Sequence, residues 1–332
     1  MSFEGEGSMS KIPVGLVGYG NIGRGAELSV NNAPDMELVA VFTRRPPNTI
    51  KLVSKNVPVL PIEEAFNMKN EINTMVLCGG SATDLPIQSP MFAEHFNIVD
   101  SYDTHSKILD HIKKIDSVIT NTVAVVSAGW DPGLFSIIRS MMSSVLPNAS
   151  SNTFWGRGVS QGHSDAIRHI KGVKSAVQYT VPIAEAMELT RQGVKRILTP
   201  KEKHKRECYV VIEDGANKEE IENSIKTMPD YFADYETSVT FISEEELKKN
   251  HSLMPHAGAV IGSGLIGENR NLMEFSLELE SNAAFTSSIL VAYARAASRL
   301  ASEGIYGAKT VFDIPLSYLS VKDREALIKE LM

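Results

Sequence analysis

Cysteine is nearly absent. Cys78 and Cys208 are the only two in 332 residues, which excludes a disulfide framework and a thiolate cage for structural zinc within one chain. Two thiols suit a reducing compartment, so the cytoplasm is the expected setting. An excess of positive charge is missing as well. The 33 Lys+Arg face 40 Asp+Glu, a formal net charge of −7, and neither nucleic acid nor an anionic membrane is an expected partner. No apolar run approaches the roughly 18 residues that a membrane span requires. The segment MSFEGEGSMSK carries Glu4 and Glu6 and no apolar core, so no secretory signal is expected there. Internal repeats and low-complexity tracts are also missing. What is present is 43% hydrophobic residues, too many for a disordered chain. At roughly 100 to 200 residues per domain, the length predicts two domains with real cores.

From Ile12 to about Leu146, short apolar runs alternate with amphipathic stretches: VGLV (14–17), ELVAVF (37–42), TMVLC (74–78), NIVD (97–100) and AVVS (124–127). Runs without polar alternation mark strands buried on both faces, and the intervals are long enough for crossover helices. After Pro147 the texture changes. TFWGRGVS, SAVQYTVP, ECYVVIE, TSVTFIS and LMEFSLEL alternate, as strands with one exposed face do. Residues 217–227 place Ile221 and Ile225 four apart in a helical pattern. Residues 284–302 set Phe285, Ile289, Leu290, Tyr293, Ala296, Ala297 and Leu300 at helical spacing, a long helix able to return to the first domain. The predicted architecture is α/β: a Rossmann-type parallel-sheet domain over 1–150 completed by 283–332. An α+β domain with a mostly antiparallel sheet for substrate binding and dimerisation covers 151–282.

Gly18-Tyr19-Gly20-Asn21-Ile22-Gly23 follows the strand VGLV and opens a helical pattern. In that context Gly18 makes the turn, Gly20 admits a pyrophosphate to the backbone, Gly23 allows close packing, and the helix N-terminus offers amide N–H groups. Gly262-Ser263-Gly264-Leu265-Ile266-Gly267 fits the same pattern of letters, but residues 273–279 beyond it alternate with strand period, so it is read as a turn between strands. At the end of the second strand, where an acid would bind a ribose 2′-OH, stand Thr43, Arg44 and Arg45. A hydroxyl and two guanidinium forks match a 2′-phosphate, and NADP is the expected cofactor.

Ten segments now combine: VGYGNIGR (17–24), VFTRRP (41–46), CGGSATDLP (78–86), VDSYDTH (99–105), VSAGWDPGLFSI (126–137), TFWGRGVSQGHSDAIR (153–168), VQYTVP (177–182), HKREC (204–208), TMPDYF (227–232) and MPHAG (254–258). Together they resemble the meso-diaminopimelate D-dehydrogenases, from about residue 12 to about 320. The resemblance implies a homodimer whose substrate domain closes over a Rossmann domain. It implies reversible oxidative deamination of the D-centre of meso-2,6-diaminopimelate with NADP+, giving L-2-amino-6-oxopimelate, ammonia and NADPH. In bacteria the reverse direction makes diaminopimelate for lysine and peptidoglycan. The resemblance extends the cofactor set to Cys78, Gly79, Gly80, Ser81, Ala82, Thr83, Ser101, Tyr102, Ala128, Gly129, Trp130, Asp131 and Pro132.

A substrate with two carboxylates and two ammonium groups calls for acidic and cationic partners. Asp103, just past NIVD, and Asp131, just past AVVS, lie where ligands sit in an open α/β sheet, and either is a candidate to hold the reacting amine or to be the catalytic base. Asp131 before Pro132 and an apolar helical pattern also reads as a helix N-cap, and Asp103 also reads as a loop acid. Trp130 and Trp155, the only tryptophans, read as core residues or as pocket walls. The resemblance makes Trp155, Gln161 and Gly162 substrate contacts and sets Asp165 beside them. From the residues alone, His163 and Asp165 also read as helix caps, and no ligand-spaced partner makes His163 a metal ligand. For the distal end the resemblance selects Thr180, Arg206, His256 and Asn282. Otherwise Arg206 is one basic residue in the run KEKHKR, and His256 a loop histidine. Hydride leaving the D-centre would give an imine that water hydrolyses. Two other readings are a related Rossmann oxidoreductase on another small polar substrate, whose usual active-site Lys GWDPG lacks, and a non-catalytic NADP-binding sensor.

Overall fold

A computed structural model describes residues 11–146, 148–193 and 196–332. Glu4 and Glu6, and the texture change placed at Pro147, lie outside the described residues. The chain separates into two compact units, one running to Ile137 and resuming over Ala283–Met332, the other Ile138–Asn282. Residues 138–146 and 148–150, expected in the first domain from sequence, belong to the second unit.

Strands are numbered in chain order. The first unit holds β1 (Ile12–Val17), β2 (Met36–Thr43), β3 (Val59–Pro61), β4 (Thr74–Leu77), β5 (Asn97–Val99), β6 (Val123–Val125) and, after the second unit, β14 (Gly307–Lys309). All seven pair in parallel in the order β14-β6-β5-β4-β1-β2-β3. Chain direction across the sheet reverses at β1, which lies between β2 and β4, so the crevice at the carboxyl ends of β1 and β4 is where this fold takes a ligand. Val14, Leu16, Val17, Val41, Phe42, Val76 and Leu77 have no exposed surface, which explains why these strands read as unbroken apolar runs. The runs outlast the strands. Cys78, Asp100 and Ser127 fall just beyond the ladders, in the strand-end loops.

The long helix Asn282–Ser302 buries Leu290, Val291, Tyr293, Ala294, Ala296, Ala297 and Leu300 in one core with Val14, Leu16, Ala26 and Val41, covering the sheet as its spacing predicted. Arg295 fixes it with a bidentate pair to Asp35, 2.6 and 2.8 Å.

In the second unit are β7 (Ser150–Trp155), β8 (Gly158–Val159), β9 (Val173–Pro182), β10 (His204–Ile212), β11 (Thr237–Phe241), β12 (His256–Ile266) and β13 (Asn269–Leu279). They form two sheets rather than one. The first has the order β11-β10-β9-β8, with β10 and β11 parallel and the rest antiparallel. The second, β13-β12-β7, is wholly antiparallel. The motif Gly262–Gly267 is not itself a turn. Residues 262–266 are strand β12, and only Gly267 enters the hairpin to β13. Its glycines serve packing: a Cβ at Gly262 would stand 3.0 Å from Met142 Sδ, and one at Gly264 3.0 Å from Ala149 Cβ.

Candidate active site

The glycine motif folds as its spacing requires. Gly18 has φ +91°, a region that suits glycine. A Cβ on Gly23 would lie 2.3 Å from the Gly18 carbonyl oxygen, so only glycine lets the helix Asn21–Asn31 start this close to the turn. Nothing stands within 4 Å of where a Gly20 Cβ would be, and no side chain caps the helix at Gly20. With no side-chain cap there, the first-turn amides of Asn21, Ile22 and Gly23 meet no competing Gly20 side chain. Gly18, Tyr19, Gly20, Thr43, Arg44, Arg45, Cys78, Gly79 and Gly80 line one cleft of about 270 Å³ with Asp84 and Gln88. A second cleft adjoins it, lined by Arg44, Thr83, Asp84, Ile62, Phe66 and Met91.

Three separate strand ends converge on that cleft, and one of them brings a group that local reading misses. β2 ends without an acid, but Asp84, in the loop after β4, places a carboxylate oxygen 2.9 Å from Arg44 Nη1 and accepts the Gly80 N–H at 2.8 Å. Arg45 donates through Nη2 to the Tyr19 carbonyl, and its N–H to Thr43 Oγ1 at 3.0 Å. Both arginines thus stand over the glycine turn with spare N–H donors. Cys78 is no nucleophile, because burial pushes its thiol up to about 12.

The acids lie farther along the same sheet edge. Asp103 is exposed after β5. Ser81 donates its hydroxyl to Asp103 Oδ1 and accepts the Asp103 N–H at 2.9 Å, bringing together two predicted site residues from different loops. Ser101 and Tyr102 precede it, and Ala82 follows Ser81. Asp131 is not a helix N-cap: the helix Leu134–Val145 begins three residues later, and Asp131 sits half-buried in the turn Gly129–Gly133. That turn closes by Gly129 N–H to the Pro132 carbonyl (3.0 Å) and Leu134 N–H to the Gly129 carbonyl (2.9 Å). Gly133, φ +127°, has no room for a Cβ, which would sit 1.9 Å from the Gly129 oxygen. Trp130 in the same turn packs edge-on against Phe135, centroids 5.2 Å apart.

In the second unit, Thr180 on β9 stands opposite Arg206 on β10, and Arg206 donates to its hydroxyl. The run KEKHKR is only partly solvated: Lys201 is exposed, while Lys203, His204 and Arg206 are buried. His204, Arg206 and Cys208 alternate inward along β10, and Arg206 is 8% exposed. Its guanidinium carbon lies 4.0 Å from the Tyr235 ring centroid, and its Nε has no hydrogen-bond partner. Burial lowers its pKa, with Tyr235 and Cys208 acting the other way, and among the described residues no carboxylate acts on it. His163 lies within reach of that charge. Burial, then Arg206, pulls it down to about 4, so it is neutral at neutral pH. Neither His163 nor Asp165 caps a helix. Ser160 caps Gln161–Arg168, the helix that carries Gln161 and Gly162, and its hydroxyl bonds His163 Nδ1 at 2.7 Å. Asp165 is exposed in mid-helix and pairs with Arg168 at 3.1 Å. Met254 gathers two predicted residues, with Gln161 Nε2 3.2 Å from its Sδ and His256 Nδ1 3.2 Å from its carbonyl. Asn282 opens the helix Asn282–Ser302. Tyr235, beneath Arg206, lies in a loop with no sequence signal.

Trp155 depends on another residue that the sequence did not mark. Its backbone N–H donates to His204 Nε2 at 2.8 Å, its ring stacks on that imidazole with centroids 5.3 Å apart, and His204 Nδ1 donates to the Pro200 carbonyl at 3.1 Å. A proton on Nε2 would meet the Trp155 N–H head-on, and burial accordingly pulls His204 down to about 4 from 6.5. Above about pH 6.5 folded and unfolded chains both hold it neutral. Below that the unfolded chain takes the proton first, so stability falls as pH drops toward 4. The full shift is worth up to about 3 kcal/mol. Thermal unfolding followed from neutral to acid pH should show this decline, and His204→Gln should flatten it. An unchanged acid limb in that variant would contradict the assignment.

Residues 129–281 match the family model described as the diaminopimelic acid dehydrogenase C-terminal domain. The meso-diaminopimelate D-dehydrogenase of Ureibacillus thermosphaericus is 58% identical over 327 residues, covering 98% of this chain and 100% of its own. The solved C. glutamicum DAP dehydrogenase in complex with DAP is 43% identical at TM-score 0.87, over 98% of this chain and 100% of that one. An engineered D-amino acid dehydrogenase bound to NADP+ is 41% identical at TM-score 0.82, over 97% and 100%. With identity at this level along nearly its whole length, the chain belongs to the meso-diaminopimelate D-dehydrogenase family.

Proposed function

We propose that the chain catalyses the NADP-dependent, reversible oxidative deamination of the D-centre of meso-2,6-diaminopimelate, giving L-2-amino-6-oxopimelate and ammonia. The observation that carries this reading is Arg206: a guanidinium buried on a sheet, stacked on Tyr235, joined to Thr180, and with no carboxylate on it among the described residues. A buried cation is costly unless an anion meets it, and a dicarboxylate substrate brings that anion. The C. glutamicum relative was solved with DAP, and the engineered relative with NADP+.

NADP would be held by the glycine turn, the first-turn amides, Thr43, Arg44 and Arg45, and by the loops at Cys78–Thr83, Ser101–Tyr102 and Ala128–Pro132. Bound, it supplies the hydride acceptor. Asp103 and Asp131 are assigned to the reacting ammonium, which has to lose a proton as hydride leaves, to one of these carboxylates or to water. Trp130 and Trp155 are assigned as apolar walls, with Gln161, Gly162 and Asp165 on the substrate side. Thr180, Arg206, His256 and Asn282 take the distal carboxylate and ammonium. Homodimer assembly, with the second domain as substrate-binding and dimerisation module, and a cytoplasmic setting complete the proposal; among the described residues no helix is long and apolar enough to cross a membrane. The test is NADPH formation when the purified protein meets NADP+ and meso-diaminopimelate. Appearance of NADPH, with ammonia in equal amount, supports the reading, and its absence overturns it.

A further inference from the structure

Asp100, the residue after β5, has no exposed surface. Its side chain accepts four hydrogen bonds. Oδ1 takes the backbone N–H groups of Tyr102 (3.1 Å) and Ser127 (2.9 Å), and Oδ2 takes Ser89 Oγ (2.6 Å) and His111 Nε2 (2.9 Å). Its carbonyl accepts the Ala128 N–H at 2.9 Å. Tyr102 opens the loop that carries Asp103, and Ser127 opens the loop that carries Asp131. Ser127 is held at φ +57°, a left-handed conformation that a residue with a Cβ adopts at a cost, and its N–H points to Asp100. The Tyr102 ring stacks on His111 with centroids 4.1 Å apart, so one imidazole grips both the carboxylate and the loop beside it.

A carboxylate withdrawn from water is expensive unless every lone pair is used, and here all are used on strand-end backbone and its props. Resting on the function proposed above, we infer that Asp100 is a positioning residue for the reaction. A single oxygen, Oδ1, registers the Tyr102–Asp103 loop against the Ser127–Asp131 loop, and His111 and Ser89 keep that oxygen from turning. The two candidate acids thereby reach the substrate from loops locked to one another.

The test uses the full-length protein with NADP+ and meso-diaminopimelate. Asp100→Asn still offers Oδ1 to both N–H groups, while its Nδ2 can donate to the Ser89 hydroxyl and to the other tautomer of His111; its kcat should stay within about threefold of wild type. Asp100→Ala removes the clamp, and a misplacement of reacting groups by about an ångström costs roughly 10²-fold, the fall expected in kcat. NADP+ affinity by equilibrium dialysis should fall far less than kcat, because the glycine turn and its arginines are untouched and only the contacts from the Ser101–Tyr102 and Ala128–Pro132 loops are loosened. Should the alanine variant not fold, His111→Phe keeps a ring on Tyr102 and both Oδ1 bonds but leaves Oδ2 with Ser89 alone, and kcat should drop about tenfold with a smaller fall in NADP+ affinity. Wild-type kcat in the folded fraction of either variant, or loss of NADP+ binding in step with kcat, overturns the positioning role. A wild-type protein that turns over no diaminopimelate overturns the functional reading instead, and this inference with it.

Discussion

Replacing Arg206 and His256 together by uncharged residues is expected to lower kcat/KM for meso-diaminopimelate by roughly 10³-fold, the value of losing one charge-assisted pairing and its neighbour. Activity on apolar D-amino acids should rise relative to it. Meso-diaminopimelate has two chemically alike ends of opposite configuration, so the reacting centre can be chosen only by recognising the other one. On the proposed assignment a ligand lacking the far carboxylate leaves the buried guanidinium unmatched, and such sites reject short analogues by ~10⁴-fold. Removing the cation removes the objection to an apolar ligand, and selectivity for D-configured centres should persist because the reacting-end groups are unchanged. Kinetics on meso-diaminopimelate and on a series of apolar D-amino acids decide it. Parallel loss on every substrate would detach Arg206 and His256 from the distal end.

The second large effect concerns the cofactor. Arg44→Ala with Arg45→Ala should weaken NADP+ by about 3 kcal/mol, roughly a hundredfold, and leave NAD+ nearly unchanged. The arginines stand over the glycine turn, and only NADP+ brings a 2′-phosphate to them. Arg44 already leans on Asp84 at 2.9 Å, but a guanidinium has five donors and a carboxylate occupies few of them. Dissociation constants for both nucleotides check this, and equal weakening of the two would contradict a phosphate role for the pair.

Sequence patterns reveal long and locally determined features and lose those set by distant neighbours. The parallel strands were legible because burial on both faces leaves an apolar run, while β3 and β14, three residues each at the sheet edges, leave no pattern at all. Gly18, Gly20 and Gly23 announced their turn because backbone geometry forces the residue type. Gly262 and Gly264 obey the same logic of close approach inside a strand. Identical letters had to be told apart by the alternation after them, and that alternation separates the two motifs without showing that the strand β12 already runs through the second. Arg206 lay hidden in a basic run until the period of β10 turned it inward. Asp84, Asp100, His204 and Tyr235 act on residues in separate loops and strands, 27 positions away in the Ser127–Asp100 bond and 49 in the Trp155–His204 bond, and no local spacing encodes such partners. For Asp131 the helix start at Leu134 excludes the cap reading and leaves its place at the reacting amine a proposal. The distal set rested on resemblance, and the structure adds a physical reason for Arg206 and Thr180 in particular.

In the proposed reaction one D-configured end reacts while the opposite end is read, a division checked by NADPH absorbance with meso-diaminopimelate, LL-diaminopimelate and D-alanine in parallel. Rapid reduction of NADP+ is expected with the meso isomer, none with the LL isomer, which has no D-centre, and very slow reduction with D-alanine, which has no distal group. Equal rates with D-alanine and meso-diaminopimelate, or turnover of the LL isomer, would contradict it.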